Sequence, residues 1–386
     1  MISESRAVTG GPARCGAQRA LVLPGGDGMT ATTTFTGTVQ RSDVVSSLGG
    51  MCAGRGLDAL AARLAELRRL LDGDLGDIER EIAKVGLDGE TPAHRSARHL
   101  LGLNGKRLRP ICVALASHIG SGFNDAARTF AVAVELVHNA TLLHDDVVDL
   151  GDRRRGADAA RVIYGNAASI FGGDYLLLDA LSKIQAVGMT DVLERVLLVI
   201  KEMVVAEALQ LASRGRVRTS TSEYFQIVDG KTASLFRWAM FAGARAGGVN
   251  EPLCKALESF GTSLGVAFQL VDDVLDFAGD PEATGKALLT DLREGKMTYP
   301  LLLAMERDRE LTPALEAHCA SEDTAVEPEL GRRIAQIMVE KRVVDDCLEL
   351  ASRLCGDAVR SIEPLPESPA KAALEGVAMS TPRRKR

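Results

Sequence analysis

Glu135-Leu-Val-His-Asn-Ala-Thr-Leu-Leu-His-Asp-Asp-Val-Val-Asp149 closes an apolar run that begins at Ala126, and Phe268-Gln-Leu-Val-Asp-Asp-Val-Leu-Asp276 closes a second that begins at Phe260. Both read as helices with an aspartate cluster near the C-terminal end. Within each cluster the first and last Asp are four apart and share a helix face, while the middle one is turned by about 100°. The placement is electrostatically poor. Like charges at this spacing repel, Asp is a weak helix former, and its charge suits the N-terminal pole of a helix rather than the C-terminal one. A local rule broken twice in the same way points to a functional site.

Outward from these two helices the chain keeps a helical period. Leu57, Leu60, Leu64, Leu67 and Leu71 recur at spacings of three and four. Further helices are predicted over about 92–103, 110–120, 125–150, 174–187, 190–213, 221–246, 251–278, 297–307, 329–355 and 367–379, with Asn124 and Thr190 as N-caps. Gly151, Gly156, Gly165 and Gly172/Gly173 punctuate the middle. There is no run of alternating strand residues and no solenoid repeat. The prediction is an all-α chain, one large helical bundle over residues 57–386. Residues 1–56, rich in Gly, Thr, Ser and Ala, are expected to be a disordered extension. Met29 and Met51 are alternative starts, and a targeting segment is the weaker reading because an amphipathic face is missing. Pro382-Arg-Arg-Lys-Arg386 is expected to be a solvated basic tail.

The 386 residues are 46% hydrophobic with a formal net charge of −6. That is ample for a large core and argues against a general grip on nucleic acid. The seven cysteines form no CxxC pair, and they read as reduced, buried thiols of a cytoplasmic protein. No apolar run reaches the ~18 residues of a membrane span. The most apolar stretch, Val192 to Ala212, is interrupted by Glu194, Arg195, Lys201, Glu202 and Glu207.

An exposed acidic face would also contain aspartates. With 27 Asp in the chain, one DDxxD arises by chance about once in eight and two about once in a hundred. Neither cluster has EF-hand spacing. Carboxylates grouped this way suit Mg²⁺, which keeps waters and is shared with substrate phosphates. Six carboxylates alone would repel a diphosphate. Two or three Mg²⁺ ions reverse that sign and stabilise charge on a departing diphosphate.

Basic motifs surround the clusters: Gly105-Lys-Arg-Leu-Arg-Pro110, Arg153-Arg-Arg-Gly156, Lys231-Thr232, Gly285-Lys286 and Asp291-Leu-Arg-Glu-Gly-Lys296. Each alone is a common solvated patch. In this order, with the paired DDxxD motifs, they closely resemble the trans-type polyprenyl diphosphate synthases, from about Leu57 to the C-terminus. The resemblance implies a helical isoprenoid-synthase bundle with a central apolar cavity. It implies that Asp145, Asp146 and Asp149 face Asp272, Asp273 and Asp276 across that cavity and bind Mg²⁺. It implies an allylic diphosphate held with the help of Arg154, Lys231, Lys286 and Lys296. Isopentenyl diphosphate is implied at Lys106, Arg109, His138 and Arg155. Thr232 and Gln269, with Lys231, are implied near the reacting carbons. A homodimer is implied as well.

The implied reaction is ionisation of the allylic substrate, attack by the double bond of isopentenyl diphosphate, and loss of a proton, with the released diphosphate as base. Ala157 stands where the family often has Lys after RRG, so one secondary phosphate contact is in doubt; the two arginines beside Gly156 are taken as the binding pair. Ala140 lies five residues before Asp145, about 7.5 Å along the axis. Short-chain members often carry an aromatic plug in that region. Small Ala140 and Thr141 leave the path open, and HNATLLHDDVVD resembles long-chain members that make quinone side chains. A product of about C35 to C50 is therefore expected for an open path past these turns, one that can be handed to the membrane. The rival is that Ala140 merely packs against a neighbour. His144, beside Asp145, could tune a metal ligand, but a histidine so placed is more often a supporting or packing residue and is left out of the site.

Three other readings compete. A short-chain farnesyl or geranylgeranyl diphosphate synthase differs only in this path. A class I terpene cyclase shares the fold and one DDxxD but usually lacks the second and GKRLRP. A non-catalytic partner subunit typically loses aspartates, whereas all six are present.

Overall fold

The computed structural model describes residues 58–278, 288–321 and 325–383. The expectations about residues 1–56, Leu57 and Lys286 lie outside the described residues. So do the side chains of Leu60, Leu64 and Leu67; Leu71, the last of that series, is fully buried.

The described residues are all-α apart from one ribbon. The order is α1 (Asp58–Ile82), α2 (Pro92–Gly102), α3 (Leu108–His118), α4 (Asp125–Val148), β1 (Arg153–Arg154), β2 (Ala157–Asp158), α5 (Ala160–Tyr164), α6 (Asn166–Val187) and α7 (Thr190–Ser213). Then come α8 (Thr221–Val228), a wide π turn (Asp229–Ala233), α9 (Ser234–Ala246), α10 (Glu251–Ala278) and the single turn α11 (Thr290–Arg293). The end holds α12 (Tyr299–Arg307), α13 (Leu311–Cys319), α14 (Pro328–Glu340), α15 (Val343–Ser361), α16 (Pro369–Ser380) and a 3₁₀ turn, Thr381–Arg383.

The sequence reading needs several corrections. The ribbon escapes it because each strand has two residues, too few to alternate. Arg153 pairs with Asp158 and Arg154 with Ala157. The two residues between them, Arg155 and Gly156, both have positive φ (51° and 82°), as a type I′ hairpin turn requires. Asn124 caps α4 through Ala127 N–H at 2.9 Å, but Met189 rather than Thr190 stands at the cap of α7, with no side-chain cap bond. Gly172 and Gly173 lie inside α6 instead of breaking it. A Cβ on Gly173 would come within 2.3 Å of the His144 ring, so glycine there lets α6 lie close against α4. The expected helix 329–355 is split at Arg342, whose φ is 53°. Of the expected solvated tail, Pro382 and Arg383 are half-buried, and residues 384–386 lie outside the described residues.

Two apolar clusters carry the bundle. One joins α1–α4, α6, α7, α9 and α16 with the first half of α10, through Cys254, Leu257, Phe260, Leu264 and Ala267. The other joins α8 and α11–α15 with the second half of α10, through Leu270, Val271, Val274 and Phe277. Each buried Val, Leu, Ile or Phe side chain among these contributes about 1.5–3 kcal/mol. α10 thus crosses both clusters and delivers its aspartates at the far end. Gly265 allows its close approach to the π turn: a Cβ there would lie 2.5 Å from Ala233 Cα. That approach sets Gln269, one turn later, against Thr232.

Candidate active site

The two aspartate trios adopt the same division. The middle residues, Asp146 and Asp273, are buried at 0% and 4% exposure. The first and last of each trio, on the other face, are half-buried. Asp146 Oδ1 accepts from Arg154 Nε at 2.9 Å. Its Oδ2 is buried with no partner. Asp273 accepts from Tyr224 Oη at 2.6 Å and from Gln269 Nε2 at 2.8 Å.

One short segment ties the trios together. Asp276 accepts from the backbone N–H groups of Thr290 and Asp291 at 3.0 and 3.1 Å. Six residues on from Thr290, Lys296 Nζ donates to Asp149 Oδ2 at 2.8 Å, and Lys296 N–H donates to Asp291 O at 2.8 Å. The stretch Thr290–Lys296 therefore holds the second trio at one end and the first at the other. The trios do not lie on separate surfaces.

Burial shapes their charge. Desolvation pushes the Asp145 carboxyl up to about 6, with Lys231 opposing the rise and Glu207 and Asp149 adding to it. Desolvation likewise raises Asp273 to about 7 against the hydrogen bonds from Tyr224 and Gln269. Asp149 goes the other way: burial would raise it, but Lys296 and Arg214 more than offset that. Buried carboxylates with raised affinity for protons, and an orphaned acceptor at Asp146 Oδ2, are donors in want of positive charge. Hard oxygen donors of this kind fit a magnesium ion. Among the described residues no three His, Cys, Asp or Glu side chains stand close enough together to hold an ion alone.

Beside the first trio lies a cationic pocket. Arg109 is stacked 4.6 Å from the Phe236 ring centre, and its buried Nε has no partner. Desolvation lowers its guanidinium to about 10, with Glu135 opposing the fall. Lys106 Nζ lies 6.0 Å from the Phe268 ring centre. Arg155 Nη2 is 4.0 Å from Glu135, while Arg153 is exposed and turned to Gly156 O. His138 is held neutral, far below its usual range, first by burial and then by Arg109, Arg155, Arg154 and Arg107. Three of these guanidiniums, those of Arg109, Arg154 and Arg155, stand with the imidazole and the buried acid Glu135 as a candidate site for a polyanion.

The π turn carries Lys231 and Thr232. Wide turns of this kind are frequent at functional sites. Lys231 Nζ donates to Gln210 Oε1 at 2.7 Å and pairs with Glu207. Thr232 Oγ1 donates to Gln269 Oε1 at 2.8 Å. Ala140 is 1% exposed. Thr141, four residues before Asp145 and on its face, is half-buried.

Sequence reasoning missed Arg107, Glu79 and Glu135. Arg107 has a φ of 51° and donates to Glu79 at 2.7 Å and to Glu135 at 2.6 Å. It turns away from the pocket and pins the loop that presents Lys106. The available signal was Glu135 itself, an acid inside the apolar run Ala126–Leu143. Arg214 and Tyr224 were missed for want of any local motif.

The polyprenyl synthetase family model matches residues 91–337. An octaprenyl diphosphate synthase of Haemophilus influenzae is 35% identical over 315 residues, spanning 81% of this chain and 94% of that protein. Among solved structures, a polyprenyl synthase from Caulobacter crescentus complexed with calcium and isoprenyl diphosphate superposes with a TM-score of 0.78 at 33% identity, covering 83% of this chain and 98% of that one. A decaprenyl diphosphate synthase from Rhodobacter capsulatus gives 0.76 at 29% identity, covering 83% and 98%. The chain belongs to the polyprenyl synthetase family.

Proposed function

We propose that this chain is a magnesium-dependent, long-chain trans-prenyltransferase that condenses isopentenyl diphosphate onto an allylic diphosphate. The observation that carries the reading is the Thr290–Lys296 segment, which brings both aspartate trios to one rim beside the arginine pocket. Asp145, Asp149, Asp272 and Asp276, on the half-buried faces, would be the metal ligands nearest the substrate, with Asp146 and Asp273 behind them. Two or three Mg²⁺ ions, when bound, supply the positive charge that lets a diphosphate approach and leave.

The chain's own groups do the rest. Arg154, Lys231 and Lys296 stand at the first trio to take oxygens of the allylic diphosphate. Lys106, Arg109, His138 and Arg155 hold the diphosphate of the second substrate, so its double bond is presented to the allylic carbon. Asp273 fixes the Gln269 amide by accepting from Nε2, which leaves Oε1 to accept from Thr232. The Thr232 oxygen and the amide dipole are then oriented with their lone pairs toward developing positive charge. The allylic carbon–oxygen bond breaks with its electrons on the diphosphate. The π pair of isopentenyl diphosphate forms the new carbon–carbon bond, and the released diphosphate takes the proton. A dry apolar bundle protects the cation.

Long-chain relatives and the small side chains before Asp145 support a product of about C35 to C50 along this path. The low exposure of Ala140 is an observation that favours a shorter product. Incubating the purified chain with Mg²⁺, farnesyl diphosphate and labelled isopentenyl diphosphate, then sizing the extracted product, tests the reading. Products no longer than C20 would refute it, and incorporation only after adding a second protein would favour a partner-subunit role. Thr141→Phe is expected to shorten the product by several isoprene units, because its ring would stand one turn, about 6 Å, from Asp145. Ala140→Phe is expected to shorten it too, with added cost from overpacking. Unchanged lengths in both would show that the chain does not grow along this face.

A homodimer is supported by exposed apolar side chains on two adjacent helices, including Phe171 and Leu178 on α6 and Leu198 and Val204 on α7. No described helix is long and apolar enough to cross a membrane. Cys112, Cys254, Cys347 and Cys355 are buried free thiols and Cys319 is a half-buried one, which suits the cytoplasm.

A further inference from the structure

Arg214 follows the last residue of α7 and reaches back to the first trio. It donates through Nη2 to Asp149 Oδ1, and its Nη1 lies 3.3 Å from Val148 O, at the end of α4. Lys296 holds the other oxygen of the same carboxylate. Both oxygens of Asp149 are therefore occupied by side-chain cations. The loop is fixed in place, because Gly215 N–H donates to Gly295 O at 2.9 Å and Ser213 Oγ to Gln210 O at 2.9 Å. Arg214 thus shares a rim with Gln210, which holds Lys231, and with Lys296. Its Nε is buried without a partner, so the guanidinium has a donor to spare.

Resting on the reading of Asp149 as a metal ligand, we propose that Arg214 is a positioning residue for the allylic diphosphate: it neutralises Asp149 while metal and substrate are away, and yields that carboxylate when a diphosphate arrives to take its guanidinium. A carboxylate oxygen held by a guanidinium cannot also ligate an ion at full strength, so metal alone binds against this ion pair. A diphosphate offers the planar fork a better, bidentate partner. Metal and diphosphate then bind cooperatively, each removing the other's obstacle. Lys296 shares the task as a point charge.

The test is calorimetric titration of the full chain with MgCl₂, with and without inorganic diphosphate. Arg214→Gln is expected to tighten Mg²⁺ binding without diphosphate by about fivefold and to reduce the enhancement due to diphosphate by a similar factor. Arg214→Lys, which keeps the charge and loses the fork, is expected to bind Mg²⁺ alone like the parent and to lose part of the enhancement. Both quantities unchanged within about twofold in Arg214→Gln would overturn the proposal. So would a parent-like enhancement in a folded Arg214→Lys protein. Asp149→Asn separates the two levels. If it binds Mg²⁺ as well as the parent, the metal-ligand reading fails and Arg214 falls with it. If it loses Mg²⁺ while Arg214→Gln is unaltered, Arg214 alone is wrong.

Discussion

Asp145→Asn is expected to lower kcat/KM for condensation by about a thousandfold, the scale of removing one strong transition-state charge partner. Asp145 is half-buried on the open face of α4. Burial already raises its carboxyl to about 6, so a bound cation is strongly favoured at this position. The same change should leave the thermal melt unaltered or slightly higher, because it removes a negative charge near the C-terminal carbonyls of α4. Incorporation of labelled isopentenyl diphosphate and a circular dichroism melt measure the two together. Activity within about tenfold of the parent would exclude Asp145 from the reacting centre. A lowered melt would instead give it a structural role.

Glu135→Gln is expected to cost about 3 kcal/mol of stability, because it leaves buried guanidiniums without their acid. Glu135 is 2% exposed and accepts from Arg107 at 2.6 Å and Asn139 at 3.1 Å. Burial pushes its carboxyl up, but Arg107 and Arg155 pull it below the usual range, so at neutral pH it is charged and engaged. Urea unfolding gives the loss. Inorganic diphosphate should restore part of it by neutralising Arg109 and Arg155 in the folded state alone. A loss under about 0.5 kcal/mol would show the pair to be solvent-screened. A loss that diphosphate does not relieve would separate Glu135 from the anion pocket.

The long amphipathic helices were legible because each presents a continuous apolar face over many turns. α4, α7 and α10 match their expected spans to within two residues. The aspartate trios stood out because they break helix electrostatics. What stayed hidden depends on chain reversal or on contacts between distant segments. The ribbon at Arg153–Asp158 is too short to show a period. Gly172 and Gly173 look like breakers in one dimension and prove to be close-packing positions in three. Arg214 lies 65 residues from Asp149 in sequence, with no local pattern to join them. Arg107 was legible as part of GKRLRP, but only its left-handed backbone shows that it points into the protein rather than toward substrate.

The wide turn at Asp229–Ala233 has a consequence for how this enzyme can change. An extra residue in one helical turn rotates everything beyond it by about 100° relative to an uninterrupted helix. α8 and α9 are therefore indexed separately: α9 can serve the interior through Phe236 and Trp238 while Lys231 and Thr232 keep their own heading. Mutations that reshape the hydrophobic interior along α9 can accumulate without steering Thr232. Removing a single residue from the turn would force one of the two tasks to be abandoned.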